Sequence, residues 1–480
     1  MEMRMVDEEQ QPHVVILPHL TQGHIKPLLC LAQLLSQSGL YITFVNAHHN
    51  HKRFANLQAL STHFPNLHFD SISDGLPDDH PRSRLDFDYI SGISEATKPH
   101  FKELLLSYRR NYVDHSVFRP PPPVTCIIAD GVVSFPIDVA EELGIPIFSF
   151  CAYTARYLLE YFTIAKIIQK DNDKKDELIN AMPGVDLGHE DLPGFDMENL
   201  DHPRVQLRVR ETLAMKRASG LILNTIDEFE ASCLPHTKSH FPKVYTVAPL
   251  HALLNSRLGD RSQVMASDGS LWNADKNCMT WLDSQPLRSV LYVSFGSVVK
   301  ISHSHLVEFL HALVESGHPF LWVIRPDVLL DKDMDSVIRK EFQVGPTRKG
   351  YIVDWAPQEQ VLAHNAVGGF LTHSGWNSIM ESIVARVPVI CWPQFGDQFV
   401  NKEYIVKLWK IGVELDAHAR DGSTIEATIK TFMGYQRDEF RMSVDKIAEL
   451  AQDSISQGGS SYYNLEMLVK DIKKMKMYNL

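Results

Sequence analysis

Residues Trp355–Gln398 read WAPQEQVLAHNAVGGFLTHSGWNSIMESIVARVPVICWPQFGDQ. Two short apolar runs, GGFLT at 368–372 and VPVICWP at 387–393, each break into a polar, glycine-containing turn and then into a stretch with helical spacing of apolar residues. Just upstream, GYIVD at 350–354 is a third such run, and Trp355 stands at its end. Strand, turn and helix in repeated succession are the pattern of a parallel sheet covered by helices, whose ligands bind at the carboxyl ends of the strands.

The same pattern extends in both directions. Upstream, Ser289–Phe295 and Phe320–Ile324 complete a series with the three runs above. A separate series occupies the first half, at His13–Pro18, Tyr41–Asn46, Leu67–Ile72, Thr125–Asp130, Ile145–Phe150, Leu221–Thr225 and Tyr245–Val247. Pro27–Ser38, with leucines at helical spacing, lies between the first two of these, and Pro120–Pro123 is a stiff lead-in to the fourth. Residues 249–275 are polar, glycine-containing and without clear period, which predicts an interdomain linker. The fold class is therefore α/β, with two doubly wound Rossmann-like domains facing each other across a cleft. The expected divisions are 1–248, the linker 249–275, a second domain 276–459, and a C-terminal amphipathic helix within 460–480.

Composition excludes several classes. The chain has 480 residues and a formal charge of -12, which argues against a general nucleic-acid or anionic-membrane surface. No apolar run approaches the roughly 20 residues of a membrane helix. The N-terminal MEMRMVDEEQQP lacks the basic-then-apolar pattern of a secretory signal, so a cytoplasmic location is expected. Six scattered cysteines with no CxxC pair read as buried free thiols.

Placed at strand ends, the polar residues of 355–398 acquire chemistry. The turn Ser374-Gly375-Trp376-Asn377-Ser378 opens a helix, and free N–H groups with the positive end of a helix dipole hold anions. Gly375 lets a diphosphate approach the backbone, His373, Asn377 and Ser378 add donors, and Glu381 can accept from ribose hydroxyls. Ser378-x-x-Glu381 also fits a helix capping box, a purely structural reading of that pair. Trp355, with Gln358 beside it, suits a nucleobase platform. Asp397 and Gln398, after the turn Gln394-Phe395-Gly396, can clamp sugar hydroxyls. Together these residues describe a nucleotide-sugar site.

A proton acceptor has to come from elsewhere in the chain. In HVVILPHLTQGHIKPLLCLAQLL, His24 lies between Gly23 and Pro27 and is expected on the loop after the first strand. Imidazole ordinarily titrates nearest neutrality, which suits a base toward a hydroxyl. Asp130 ends TCIIAD, where it can orient the other ring nitrogen. His13 belongs at the wrong end of its strand, and His19, in the same loop, is the rival. Asp331–Asp335 contains D-x-D and reads as a solvated acidic loop rather than a metal site; His48-His49-Asn50-His51 reads as a polar loop. No metal and no resident cofactor are expected.

The stretch 355–398 resembles the signature box of plant family 1 UDP-sugar-dependent glycosyltransferases, and the resemblance extends to the His24 loop, the Asp130 strand and the terminal helix. It implies GT-B architecture and inverting transfer from UDP-glucose to a small acceptor. Trp355, Ala356 and Gln358 would bind uracil, Glu381 the ribose, and His373, Asn377, Ser378 and Ser297 the diphosphate, with Trp376 beside the sugar. Asp397 and Gln398 would bind the sugar, the final glutamine favouring glucose. His24 and Asp130 match the catalytic pair, and the final helix would pack back on the first domain. HLTQGHIKPLLCLAQLL, SISDGLPDDHPRS and CIIADGVVSFPIDVAEELGIPIFSF look closest to plant enzymes that glucosylate iridoids and related terpenoids. Cys151–Arg156 departs from the family pattern, leaving Arg156 as a possible partner for an acidic acceptor. The acceptor pocket is expected near 80–100, 150–160 and 185–210, in a monomer. The alternatives are a phenolic or flavonoid acceptor and a UDP-sugar sensor without catalysis. A dinucleotide oxidoreductase is excluded because Leu17–Gly23 has no G-x-G-x-x-G turn.

Overall fold

The computed structural model describes residues 11–54, 56–77, 80, 87–113, 120–170, 199–259, 270–325, 350–415 and 422–475. Among these residues, thirteen strands form two all-parallel sheets. The first comprises β1 (His13–Leu17), β2 (Tyr41–Ala47), β3 (Leu67–Ile72), β4 (Val124–Asp130), β5 (Ile147–Cys151), β6 (Gly220–Leu223) and β7 (Val244–Thr246). The second comprises β8 (Val290–Ser294), β9 (Phe320–Val323), β10 (Gly350–Val353), β11 (Val367–Thr372), β12 (Val389–Cys391) and β13 (Gly412–Glu414). Their orders are 3-2-1-4-5-6-7 and 10-9-8-11-12-13. All residues of β1, β4, β8 and β11 are buried. Parallel strands covered by helices on both faces need such near-continuous apolar runs.

Each order reverses once, between β1 and β4 in the first sheet and between β8 and β11 in the second. Connections leave in opposite directions at such a switch point and open a crevice beyond the strand ends. His24 follows β1 and Asp130 ends β4; Ser297 follows β8 and His373 follows β11. The two crevices supply the two walls of one cleft.

Three local readings change. Leu250–Leu258 is a helix, although its sequence has little amphipathic period, because Leu250, Leu253, Leu254 and Leu258 pack into the core that covers β1 and β2. His48–Arg53 is a short helix rather than a loop. The helix after β1 runs Gln22–Gln37, so His24 sits in its first turn and not on a free loop. The last helix, Ser460–Lys474, buries Leu465, Leu468, Val469 and Ile472 in the same core as β1 and β2. Their i, i+3, i+4, i+7 spacing places them on one face, each contributing at most about 1.5–3 kcal/mol of apolar burial. Asp471 then accepts from Lys243 Nζ at 2.7 Å and Tyr245 Oη at 2.6 Å beside β7. All six cysteines are buried and free.

Candidate active site

A cleft of about 1150 Å³ lies between the sheets. Every predicted site residue lines it except Asp130, which is buried behind His24.

His24 Nδ1 is 2.7 Å from Asp130 Oδ2, with the imidazole side chain 23% exposed and the carboxylate wholly covered. With Nδ1–H donating to the aspartate, Nε2 is the nitrogen left to accept a proton. Burial works to raise the Asp130 pKa; the facing imidazole and the Val132 N–H outweigh it, so the carboxyl titrates below its ordinary value. The two rivals separate clearly. His13 is fully buried at the start of β1, its Nδ1 2.7 Å from the Pro122 carbonyl and its Nε2 2.8 Å from Thr43 Oγ1. His19 packs edge-on to His24 with centroids 5.2 Å apart, and its Nδ1 meets Thr21 Oγ1 at 3.2 Å. Burial, with the His24 charge, lowers His19 to about 3. No described carboxylate orients its ring.

Across the cleft, Ser374 takes a left-handed φ of +66° and Gly375 caps the helix Trp376–Val384. The first helical bond runs from Ile379 N to the Gly375 carbonyl, so the N–H groups of 376–378 have no intrahelical acceptor and face the cleft. Gly375 is required for a second reason. A Cβ there would stand 2.4 Å from His373 Nε2, and one on Gly296 would stand 2.5 Å from the same ring. The two glycines hold the imidazole flat between them. Burial, with the charge of Arg325, lowers the His373 pKa to about 4, so at neutral pH it is an uncharged donor.

Ser378 and Glu381 do not form a capping box, because Gly375 holds the cap position. Both accept from Gln358 Nε2, at 3.0 and 2.8 Å, while Gln358 Oε1 accepts from Tyr292 Oη at 3.2 Å. The Gln358 amide thus ties together Tyr292, Ser378 and Glu381 on the wall of the cleft. Glu381 is also gripped from the opposite domain by Lys26 Nζ, which is 2.7 Å from Glu381 Oε1 and 2.5 Å from Glu359 Oε1. Trp355 is half-buried and stacks on Trp272, centroids 4.7 Å apart and planes 21° from parallel.

At the sugar end, Asp397 opens the helix Asp397–Glu403 and its Oδ2 accepts from Asn401 Nδ2 at 2.8 Å. Burial raises its pKa. Gln398 Oε1 is occupied by the N–H groups of Gln394 and Phe395, which leaves its NH₂ for a ligand. The Trp376 indole is 2% exposed and donates to the Asn224 carbonyl at 2.6 Å, fastening the two domains. Arg156 does not reach the cleft: it is 1% exposed, with Nε 3.5 Å from Glu160. Asp331–Asp335 lies outside the described residues, as does much of 185–210; among the described residues no acidic, histidine or cysteine cluster could hold a metal ion.

Lys26, Tyr292 and Trp272 also line the cleft without having been singled out, as does Arg208, which lies in the 185–210 stretch expected near the acceptor. Lys26 alone carried a signal, as a cation two residues after His24.

Residues 270–454 match the family described as UDP-glucoronosyl and UDP-glucosyl transferase. The 7-deoxyloganetic acid glucosyltransferase of Catharanthus roseus is 42% identical over 477 residues, covering 97% of this chain and 98% of that protein. Mogroside I-A1 synthase of Siraitia grosvenorii is 42% identical over 459 residues, covering 93% and 86%. The crystal structure of Os79 from O. sativa in complex with UDP superposes with a TM-score of 0.82 at 26% identity, covering 96% of this chain and all of that one. The chain belongs to the plant UDP-glycosyltransferases of GT-B fold and is a UDP-glucose-dependent glycosyltransferase.

Proposed function

We propose that the enzyme transfers glucose from UDP-glucose, with inversion, to a hydroxyl or carboxyl oxygen of a small lipophilic plant metabolite, iridoids and related terpenoids being favoured. The observation that carries this reading is the His24–Asp130 pair at 2.7 Å, facing the uncapped N–H groups of 376–378 across the cleft. The acceptor oxygen attacks the anomeric carbon as its proton passes to His24 Nε2. The bond from that carbon to the UDP oxygen breaks on the far side, which inverts the centre. Charge appearing on the diphosphate meets the positive end of Trp376–Val384 and the neutral His373 donor. Asp130 holds the Nδ1–H tautomer and stabilises the imidazolium that forms. In this reading no metal takes part, because the helix end and the histidine supply the electrostatic stabilisation, and the chain works as a cytoplasmic monomer.

The terpenoid preference rests on the likeness to the 7-deoxyloganetic acid enzyme. The test is incubation with UDP-glucose and a panel of terpenoid acids, alcohols and phenols, with and without a chelator, followed by proton NMR of the products. β-Glucosides, chelator-independent rates and faster transfer to terpenoids are expected. α-Linked product would refute inversion, and faster transfer to flavonoids would refute the acceptor class.

A further inference from the structure

We propose that Arg208 is an anchor for a carboxylate carried by the acceptor, separate from the oxygen that is glucosylated. The inference rests on the proposed transfer to a small acceptor at His24.

Arg208 lies on the helix Pro203–Ala214 and is half-buried in the cleft wall. Its guanidinium sits over two tyrosine rings, 5.3 Å from the centroid of Tyr161 and 5.8 Å from that of Tyr153. Tyr157 packs edge-on between them, 5.3 Å from Tyr153 and 5.2 Å from Tyr161, and its hydroxyl is 3.1 Å from that of Tyr161. Tyr157 and Tyr161 lie one turn apart on the helix Ala155–Lys170, Tyr153 stands in the bend just before it, and the three rings form one platform. A guanidinium is charged at any pH the protein meets. Here it is partly removed from water; it donates one hydrogen bond to the Tyr161 hydroxyl, and among the described residues no carboxylate pairs with it. Aromatic faces and one hydroxyl recover only part of that lost hydration and leave most of the guanidinium donors for a ligand, so a bound anion is the natural complement.

The placement decides which anion. Arg208 lines the same cleft as His19, His24 and Asp397, and Tyr157 of its platform reaches Gly396, the residue before Asp397, where an added Cβ would stand 3.4 Å from the Tyr157 hydroxyl. Arg208 therefore borders the space between the base and the sugar clamp, which the acceptor must occupy. The phosphate turn already provides for the diphosphate at the opposite wall. Arg156, the arginine that the sequence suggested for this role, is enclosed with Glu160 and cannot serve. A hydroxy acid bound with its carboxylate on the Arg208 fork would present a hydroxyl to His24 Nε2. A planar, two-pronged donor fixes orientation as well as charge, and so selects which hydroxyl reacts.

The experiment compares a cyclic monoterpenoid hydroxy acid with its methyl ester, at saturating UDP-glucose, in the wild type and in Arg208→Gln and Arg208→Lys. In the wild type the acid should exceed the ester by about 10- to 100-fold in kcat/KM, mostly through KM, as expected for a charge-assisted pair. Arg208→Gln should bring that ratio close to one, and Arg208→Lys should retain part of it. Equal rates for acid and ester in the wild type overturn the anchor whether or not the variants fold. An unchanged ratio in Arg208→Gln also overturns it. A parallel arm offers UDP-glucuronate with the ester: loss confined to that donor in Arg208→Gln would assign the cation to a sugar carboxylate and refute the acceptor assignment. Absence of transfer to every acceptor would fail the function itself, whereas transfer to both members equally fails only the anchor.

Discussion

Replacing Lys26 by methionine tests how the donor site is held. Lys26 Nζ lies 2.7 Å from Glu381 Oε1 and 2.5 Å from Glu359 Oε1, so those oxygens are at most about 5 Å apart. The Glu381 side chain is only 4% exposed. Burial opposes the Lys26 charge, and the two carboxylates more than offset it, so its pKa is raised. Burial likewise opposes the Glu359 charge, and Lys26 reverses this, so the pKa of Glu359 is lowered. Removing the ammonium leaves two carboxylates facing each other; at that separation and an effective dielectric constant of 20 the repulsion is about 3 kcal/mol. Losing one partner of a buried ion pair costs about 3–5 kcal/mol, a consistent figure. One carboxyl must then protonate or swing away, and Glu381 is the group proposed to accept from the ribose. Losing a charge-assisted hydrogen bond of about 1.5–3 kcal/mol raises the KM for UDP-glucose roughly ten- to hundredfold. Initial rates at saturating acceptor measure it, and Lys26→Met with Glu359→Gln should recover part of the loss by removing the repulsion. Wild-type KM in the single variant, or no recovery in the double, would refute the coupling. The bridge should persist between pH about 5 and 10: the lowered Glu359 pKa contributes stability that is lost only below its unfolded value near 4.5, and the raised Lys26 pKa contributes stability that is lost only above 10.5.

His24→Ala should nearly abolish glucosylation of alcohols, by about 10²- to 10⁴-fold in kcat, yet spare more of any ester formation, because a carboxylic acid is already ionised near neutral pH. Equal losses with matched acid and alcohol acceptors would sink that idea. Stability should fall as pH drops below about 6.5, because burial lowers His13 and His373 to about 4 and His19 to about 3, and the unfolded chain then binds protons that the folded chain refuses. His13 alone accounts for about 3 kcal/mol across that interval. Urea unfolding from pH 7.5 to 4.5 should therefore show a shallower pH dependence in His13→Asn, and identical slopes would contradict the assignment.

The twelve strands read from the sequence are all present, because strands covered on both faces must be nearly continuous apolar runs. The thirteenth, Gly412–Glu414, is three residues long with only its first buried, and carries no such run. Strand-end placement likewise put the proposed donor residues on the cleft, since ligand crevices in such sheets open beyond the strand ends at the switch point. What it could not supply is how those residues are held. Gln358, Ser378 and Glu381 are joined to one another by a side chain whose reach depends on helix phase. Lys26 depends on which residues of one domain meet the other, and Arg208 on how the helix Pro203–Ala214 packs on Ala155–Lys170, neither of which lies in any local window.

His24 shows why the local reading stopped short. Gly23 and Pro27 suggest a loop, yet the helix continues from Gln22 through Pro27. Proline has no N–H to give the carbonyl four residues back, so the Gly23 oxygen loses its helical partner. Asn377 Nδ2, from the phosphate turn, donates to that oxygen at 2.6 Å, and Asn377 Oδ1 accepts from Asn224 Nδ2 at 2.8 Å. The proline that obscures the helix is thus what frees an acceptor for the opposing domain. With Lys26 on Glu381 and Trp376 on Asn224, the turn carrying His24 and the turn facing the diphosphate are fastened by side chains from both domains. In the proposed reaction the donor and base halves are consequently positioned together, because these contacts, and not either sheet alone, fix the turn carrying His24 against the turn at 374–378.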